Sequence, residues 1–333
     1  MKSRLWTAIF AGFALAVGTA AAAPPTPPMD MGIITGGEKG TYYQFGLNLK
    51  RLVASHGVNL TVVPSKGSVE NVFAVYQRPG TQLGIVQSDV LAFVARVETD
   101  PVLKRIAKKI KMVFPLYNEE VHVLGRKNIA DFDELADKRV AVGREGSGTY
   151  LTARLLFKVA EVEPRQMVNI DTDEALAELK AGRIDAMFYV AGAPVKLFAE
   201  GVTAADNLAL IPVTNKSVVE FYPTAEIPAN MYGWQTKPLP TVAVKSVLVS
   251  FDFRRLDCDN VGRFAQLLAA NIGWLRDNGH AKWKSVQLDY PLKGWEQYDC
   301  VRKYVGRVVA PTPAPAKSSE NPVLDAIKGV LRD

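Results

Sequence analysis

Short apolar runs alternate with longer segments of helical periodicity along most of the chain. In the first third of the chain, the runs typical of buried strands are 31–35, 58–64 and 83–86. Apolar residues at every third or fourth position predict helices over 42–55 and 69–76, with Ser68 as the N-cap of the second. Strands that alternate with helices in this way predict an α/β fold with mainly parallel sheets and helices on both faces.

The middle of the chain repeats this order of elements. The predicted strands are 139–142 and 184–190, and the predicted helices are 131–134, 149–160 and 173–180. The elements before about residue 120 are expected to form a first lobe. Two separate strands, 111–117 and 121–125, are expected to lead out of it. A strand at 241–251 and one long helix at 260–278 then return to it. Two lobes joined by two crossings form a geometry suited to hinge closure.

Two similar glycine-rich segments each stand between a predicted strand and a predicted helix. We call residues 36–43 the first cradle and residues 143–150 the second cradle. Glycine lets the backbone approach a ligand closely, and the helix start that follows presents unpaired N–H groups and a positive dipole end. Two such helix starts facing one cleft predict a clamp for a small anionic molecule.

The N-terminus has the pattern of a secretory signal, which we assign to residues 1–23. Lys2 and Arg4 form its charged region, 5–17 is apolar, and the alanines at 20–23 offer cleavage positions. The apolar run is shorter than the roughly 20 residues that span a bilayer. A retained anchor is the alternative. We expect a soluble mature protein in the periplasm.

Composition and charge exclude several functions. The chain has 333 residues, 48% hydrophobic and 22% charged, which leaves room for two domains. The net charge is +6, and the densest basic stretch, 104–111, lacks a nucleic-acid motif and exposed aromatic neighbours. This stretch is therefore interpreted as a solvated helix face, and no nucleic-acid partner is expected.

Cysteine, histidine and motif spacing give little sign of catalysis. Cys258 and Cys300 are the only cysteines, and an oxidising compartment favours a disulfide between them, with two separate buried thiols as the alternative. The three histidines are isolated, so neither a metal site nor a cofactor is expected. The Gly-x-Ser-x-Gly pattern of a nucleophile elbow is not met at Ser147, because Glu145 stands where the first glycine is required. Lys39-Gly40-Thr41 has the wrong order for a P-loop, which needs Gly-Lys-Ser/Thr. We expect no enzyme activity.

Six motifs in order resemble the TAXI family, the extracytoplasmic solute receptors of TRAP transporters. They are ITGG and GTYY at 34–43, GSVEN at 67–71, GIVQSDV at 84–90, VAVG and GSGT at 140–149, DAMFYVAG at 185–192 after the helix at 175–182, and VAVKSVLV at 242–249. The resemblance covers residues 31–278. RPGT at 78–81 departs from the family's usual acidic glycine turn, and both cradles contain charged residues.

The resemblance implies a two-lobed periplasmic binding protein of the type II class, with a ligand cleft between the lobes. Such a receptor captures a small carboxylate-containing solute, an amino acid or an organic acid, and delivers it to a TRAP-type membrane permease without catalysis. The solute is anionic or zwitterionic, and a monomer is expected. The expected divisions are lobe 1 at 30–120, lobe 2 at 121–232, a return to lobe 1 at 233–307, and a Pro-rich linker with a short helix at 308–333.

Thirteen positions that match the motifs are predicted to contact the solute. They are Gly37, Thr41, Tyr42, Ser68, Val69, Gln87, Ser88 and Asp89 in the first lobe, and Ser147, Gly148, Thr149, Tyr150 and Ala191 in the second. Thr41 and Thr149 would donate hydroxyl and backbone N–H groups to oxyanions. Asp89 or Glu70 would pair with an ammonium group, whereas Tyr42 and Tyr150 are equally consistent with packing at helix starts.

Three questions stay open at this level. The solute's identity does not follow from the sequence, and neither does the choice between transport and a sensor role towards a membrane signalling partner. An ABC-type importer is a further alternative. The C-terminal segment with a predicted helix at 322–331 either docks on the body or a partner, or forms a weakly ordered terminus.

Overall fold

Residues 29–96, 101–292 and 294–306 are described by a computed structural model, and within them ten strands form one mixed sheet. The strands are β1 Met29–Ile34, β2 Val58–Val63, β3 Leu83–Gln87, β4 Ile110–Arg126, β5 Arg139–Ala141, β6 Gln166–Val168, β7 Ala186–Ala191, β8 Leu208–Leu210, β9 Thr224–Ile227 and β10 Leu239–Phe251. Their order is β2-β1-β3-β10-β4-β7-β5-β6, with β8 beside β4 and β9 beside β10.

Helices cover this sheet and connect its parallel strands. They are α1 Thr41–Ala54, α2 Ser68–Gln77, α3 Ser88–Arg96, α4 Pro101–Lys109, α5 Gly148–Ala160, α6 Thr172–Lys180, α7 Lys196–Gly201, α8 Lys216–Phe221, α9 Leu256–Ala270, α10 Ile272–Asn278 and α11 Asp299–Val305. Short 3₁₀ helices lie at Asp133–Leu135, Ala204–Asp206 and Ala281–Ser285. None of the helices in the described ranges combines the length and apolar character needed to span a membrane.

The sheet has two parallel ends and an antiparallel centre. At one end β1 pairs in parallel with β2 and β3, and at the other β5 pairs in parallel with β6 and β7. In the centre β10 runs antiparallel to both β3 and β4. The predicted α/β fold is confirmed, and its helices follow the parallel strands as the alternating pattern indicated.

The two strands predicted at 111–117 and 121–125 are one continuous strand, so this prediction is wrong. β4 runs for 17 residues through the polar stretch Asn118-Glu119-Glu120, which resembled a break in the sequence. Glu119 and Glu120 are buried instead of forming a turn. Glu120 is also the position where β4 changes partner, since it lies opposite Ala243 of β10 and Ala191 of β7.

The prediction of one long helix at 260–278 is also wrong, because the structure has two helices, α9 and α10, divided at Asn271. This residue has φ −115° and ψ 21°, which are not helical, and α10 starts after it. The Asn271 side chain donates to the carbonyl of Leu267 at 2.8 Å. Asparagine competes for backbone hydrogen bonds in this way, which explains the interruption.

The C-terminal helices of the described chain are tied together covalently. Cys258 of α9 and Cys300 of α11 form a disulfide with their Cα atoms 5.4 Å apart. The predicted bridge is confirmed, and the alternative of two separate thiols is excluded. The expected leader at 1–23 and the tail at 308–333 lie outside the described residues.

Four helices begin where parallel strands end, and this positions the site. α1 follows β1 across the first cradle, α2 follows β2, α3 follows β3 directly, and α5 follows β5 across the second cradle. Ser147 caps α5 by accepting the Tyr150 N–H at 3.0 Å. Gly67, just before α2, has φ +124°, a conformation that only glycine adopts readily. The starts of α1, α2 and α3 therefore lie at the same end of their parallel strands. β5 runs in the opposite direction to these strands, so the start of α5 faces them from the other half of the sheet.

Candidate functional site

The two cradles meet at a pocket that both ends of the sheet help to build. It encloses about 420 Å³ of empty space, counting its open mouth. The lining residues are Gly36, Gly37, Gly40, Thr41, Tyr42, Lys66, Gly67, Ser68, Gln87, Glu119, Ser147, Gly148, Thr149, Tyr189, Val190 and Ala191. A concave pocket lined by apolar surface and a few polar groups is typical of a small-molecule site.

Most of the residues predicted to contact a solute lie in the pocket lining. The structure brings together Gly37, Thr41, Tyr42, Ser68, Gln87, Ser147, Gly148, Thr149 and Ala191. It does not place Val69, Ser88, Asp89 or Tyr150 there. The Ser88 hydroxyl accepts the Lys245 N–H at 3.0 Å, and the Tyr150 hydroxyl accepts from Arg154 at 3.1 Å. These side chains serve neighbouring structural elements.

Several polar contacts join the two halves of the sheet around the cradles. The Glu70 N–H donates to the carbonyl of Gly146 at 3.0 Å, and the Thr41 hydroxyl donates to the carbonyl of Gly192 at 2.9 Å. Deeper in the molecule, the Thr152 hydroxyl donates to the Asp89 carboxylate at 2.7 Å. At the surface Lys39 pairs with Asp173. The two halves are therefore in contact around the pocket, which is a closed arrangement.

Gly148 allows the closest of these approaches. A Cβ atom on Gly148 would lie 1.7 Å from Oε1 of Gln87 and 2.8 Å from Oγ of Ser68. Both distances are far below van der Waals contact, so any side chain at this position must displace Gln87. Gln87 is buried, and its backbone N–H donates to the Ser68 hydroxyl at 3.1 Å. The observed position of the Gln87 side chain thus depends on glycine at position 148.

Thr41 and Thr149 have protein partners for their hydroxyl groups. The Thr149 hydroxyl accepts the Val190 N–H at 3.1 Å, while that of Thr41 donates to Gly192 as described above. The first N–H groups of α1 and α5 have no acceptor within their own helices. Backbone N–H groups at these two helix starts are accordingly the main source of donors for an anion.

Glu119 is a buried carboxylate in this pocket that the sequence analysis missed. It is 2% exposed, accepts the Tyr42 hydroxyl at 2.6 Å, and lies 3.5 Å from the side-chain nitrogen of Gln87. Burial raises the pKa of the Glu119 carboxyl to about 8. The available signal was a pair of acidic residues between the two strands predicted at 111–117 and 121–125, which left Glu119 outside both.

A second polar network supports the segment that follows β7. Glu120 pairs with Lys282 and accepts the Ala193 N–H at 2.9 Å. His122 donates from Nδ1 to the carbonyl of Glu120, and its Nε2 lies 2.8 Å from the hydroxyl of Tyr232. Burial lowers the pKa of His122 to about 4, so the ring is neutral. This network fixes the backbone at Ala193, two residues after Ala191 in the pocket lining.

Asp89 does not reach the pocket, although it lies near it. Its carboxylate accepts the Val90 N–H at 2.9 Å in addition to the Thr152 hydroxyl. Burial raises the pKa of Asp89 to about 6. Glu70, the other acid considered for an ammonium partner, accepts the Lys66 N–H at 2.9 Å from an exposed position.

A mixed sheet with two parallel ends, joined by antiparallel strands beside a pocket, defines the type II periplasmic-binding-protein fold. The chain belongs to the NMT1-like family, which matches it over residues 33–259. This assignment is coarser than the TAXI resemblance. It agrees with a solute-binding-protein-like fold.

Solved structures are similar in fold. The periplasmic binding protein BugD is 10% identical, with 79% of this chain and 88% of that chain covered and a TM-score of 0.51. A periplasmic transporter structure is 16% identical, covering 77% and 89%, with a TM-score of 0.47. The substrate binding protein of an amino acid ABC transporter is 11% identical, covering 83% and 98%, with a TM-score of 0.45. At these identities the likeness concerns the fold alone.

Proposed function

We propose that this protein is an extracytoplasmic solute receptor that captures a small carboxylate-containing solute between two lobes. The observation that carries the proposal is the pocket itself, to which both cradles contribute the starts of helices. Helix starts bind carboxylates because their N–H groups are unpaired and the dipole is positive there. An amino acid or a small organic acid carries the carboxylate that such helix starts bind.

The proposed lobes move by bending the two central strands. The first lobe takes residues 30–120 and 233–307, and the second takes 121–232. One crossing falls in β4 at Glu120, where its pairing passes from β10 to β7. The other falls in β10, which pairs with β9 up to Val242 and with β3 from Ser246 onward. Adjacent crossings of this kind support a hinge.

The solute's carboxylate would bind at the helix starts of α1 and α5. The contacts proposed from the motifs and the pocket together are Gly37, Thr41, Tyr42, Ser68, Gln87, Ser147, Gly148, Thr149 and Ala191, and Glu119 is added by the structure. Closure buries the solute between both halves, which provides affinity, whereas release requires that the open state stay accessible.

We further propose that the protein catalyses no reaction. The pocket lining contains neither histidine nor cysteine, and none of its serine and threonine hydroxyls forms a hydrogen bond with a carboxylate or an imidazole. The TAXI-like motifs support delivery of the solute to a TRAP-type permease in the cytoplasmic membrane. The leader-like residues 1–23 support a periplasmic location, with a monomer as the working form.

A thermal-shift screen tests this function directly. The chain from Pro24 onward is unfolded and refolded once to remove any solute carried through purification. It is then screened against amino acids, dicarboxylates, keto acids and aromatic acids. We expect one chemical class to raise Tm, because a ligand that binds only the native state stabilises it. A well-folded protein whose Tm responds to none of them contradicts the proposal and favours a sensing or partner-binding role.

A further inference from the structure

The inner end of the pocket presents hydrogen-bond acceptors, in contrast to the donors at the helix starts. The Glu119 carboxylate lines it, and so does Gln87, whose Oε1 atom is buried without a hydrogen-bond partner. Buried acceptors are rarely left unpaired, because each forfeits its hydrogen bonds to water. Both groups are at least nine-tenths buried, so a donor that satisfies them has to come from within the pocket.

Within the described residues, no lysine, arginine or histidine forms an ion pair with Glu119. Lys66 is the one cation in the pocket lining, and it makes no ion pair with Glu119. The groups that act on Glu119 are neutral or acidic, and they include the hydroxyls of Tyr117 and Tyr189. Tyr42 of α1 and Gln87 of β3 donate to it, while Asp89 of α3 and Glu120 of β4 raise its proton affinity through their charge. The Lys282 cation is already paired with Glu120. A buried carboxylate without a cation is strongly disfavoured.

We propose that the Glu119 carboxylate and the side-chain carbonyl oxygen of Gln87, Oε1, form an ammonium-binding subsite. This subsite makes the pocket selective for acids that carry a primary amine. This proposal rests on the proposed function, and it names the chemical class of the solute. A primary ammonium has three donors, so it bonds to the Glu119 carboxylate and to Gln87 Oε1 at the same time. The solute's carboxylate then lies toward the helix starts of the cradles.

Keto, hydroxy and dicarboxylic acids of the same size fit this subsite poorly. A keto acid offers only an acceptor to the Gln87 Oε1 atom, which needs a donor. The second carboxylate of a dicarboxylate likewise leaves Gln87 Oε1 unpaired, and it brings no positive charge that would favour the ionised form of Glu119. A hydroxy acid supplies one donor and no positive charge. A binding site discriminates strongly against a ligand that leaves buried polar groups of the site without hydrogen-bond partners. We expect a preference for the amine on the order of a hundredfold.

Binding an ammonium also changes the protonation of Glu119. In the closed pocket without ligand, the carboxyl holds its proton near neutral pH, since burial raises its pKa to about 8. An ammonium favours the ionised carboxylate and expels that proton to the solvent. Affinity therefore rises with pH up to the pKa of Glu119, and binding releases up to one proton. A carboxylate ligand bound to the neutral acid would give no such release.

Isothermal titration calorimetry tests the subsite with chemically matched probes. The probes are L-glutamate and L-leucine, each beside its 2-oxo and 2-hydroxy counterpart, together with glutarate as a dicarboxylate. Titrations in buffers of different ionisation enthalpy, near neutral pH, measure the protons exchanged. The proteins are the wild type, Glu119→Gln, and the control Glu226→Gln, which makes the same change on exposed β9. Circular dichroism confirms that each variant is folded.

The expected result is binding of an amine probe with proton release, and binding of its keto and hydroxy counterparts about a hundredfold more weakly. Glu119→Gln should lose most of this preference and release no proton, whereas Glu226→Gln should behave as wild type. Tight binding of a keto acid, or an unchanged preference in Glu119→Gln, overturns the subsite and leaves the receptor function standing. Failure of every probe here and of every class in the thermal-shift screen overturns both.

Discussion

Replacing Gly148 with alanine should block closure of the pocket without unfolding the protein. The added Cβ would lie 1.7 Å from Oε1 and 2.4 Å from Cδ of Gln87. Gly148 is the first residue of α5 and does not have a positive φ, so its backbone conformation accepts alanine. The added methyl group changes the contact with the opposite half and the adjoining wall of the pocket. The open state is left free of strain.

The size of the effect follows from the overlap with Gln87. Its amide end belongs to a flexible side chain, but the residue is buried and linked to Glu119 and Ser68. Forcing an extra carbon into such a packed site costs about 1–3 kcal/mol. If this cost falls on the closed state alone, the solute binds about 5- to 150-fold more weakly, because each 1.4 kcal/mol is tenfold in Kd.

Calorimetry with the solute found by the thermal-shift screen measures this loss, and small-angle X-ray scattering measures closure. Gly273→Ala is the matched control, because a Cβ on Gly273 meets no atom within 4 Å. Without solute, Gly148→Ala should have the same Tm as the wild type. When solute is added, its scattering profile should stay that of the expanded, open state. Wild-type affinity together with wild-type compaction in Gly148→Ala would refute the reasoning that the cradles meet through this glycine.

Three further changes have expected outcomes. Reducing the Cys258–Cys300 bridge, with its sequence separation of 42, should lower the unfolding free energy by at most roughly 4 kcal/mol in guanidinium titrations; confirmed reduction without a change contradicts a stabilising role. Between pH 4.5 and about 8 the native state keeps the Glu119 proton that the unfolded chain releases, so the free energy of unfolding should fall as pH rises. Unfolding curves at several pH values should show a flatter pH dependence for Glu119→Gln. An unchanged pH dependence in this variant refutes the raised pKa of Glu119. Lys39→Ala breaks the exposed Lys39–Asp173 pair and should weaken solute binding slightly at low salt and not at high salt. A large loss of solute affinity at high salt, measured by calorimetry, would be inconsistent with a screened surface pair.

Local patterns in the sequence predicted the elements that carry the cradles. β1, β2 and β3 are apolar runs bounded by Gly, Pro or Ser, and the glycines of both cradles mark where α1 and α5 begin. Their boundaries agree with the predicted ones within two residues, which is the usual uncertainty at element ends. These features are predictable because strand length, glycine conformation and helix capping depend on residues close in sequence.

The central strand and the acidic subsite depend on residues far apart in sequence. Glu119 and Glu120 resembled a turn because acidic residues are rarely buried without partners. Their partners are Tyr42, Ala193 and Lys282, which no local pattern connects to β4. The short strands β6, β8 and β9 have only three or four residues, too few for an alternating pattern to appear.

The position of β10 in the sheet has a consequence for how the molecule folds. β10 lies between β3 and β4, but it is synthesised after the whole segment that contains β5 to β9. Until residue 251 is available, β3 and β4 each have a bare edge, and such edges attract other strands. The first half of the sheet therefore closes late and through contacts distant in sequence, which favours slow folding. An isolated fragment that ends before β10 should aggregate instead of forming a stable half-molecule.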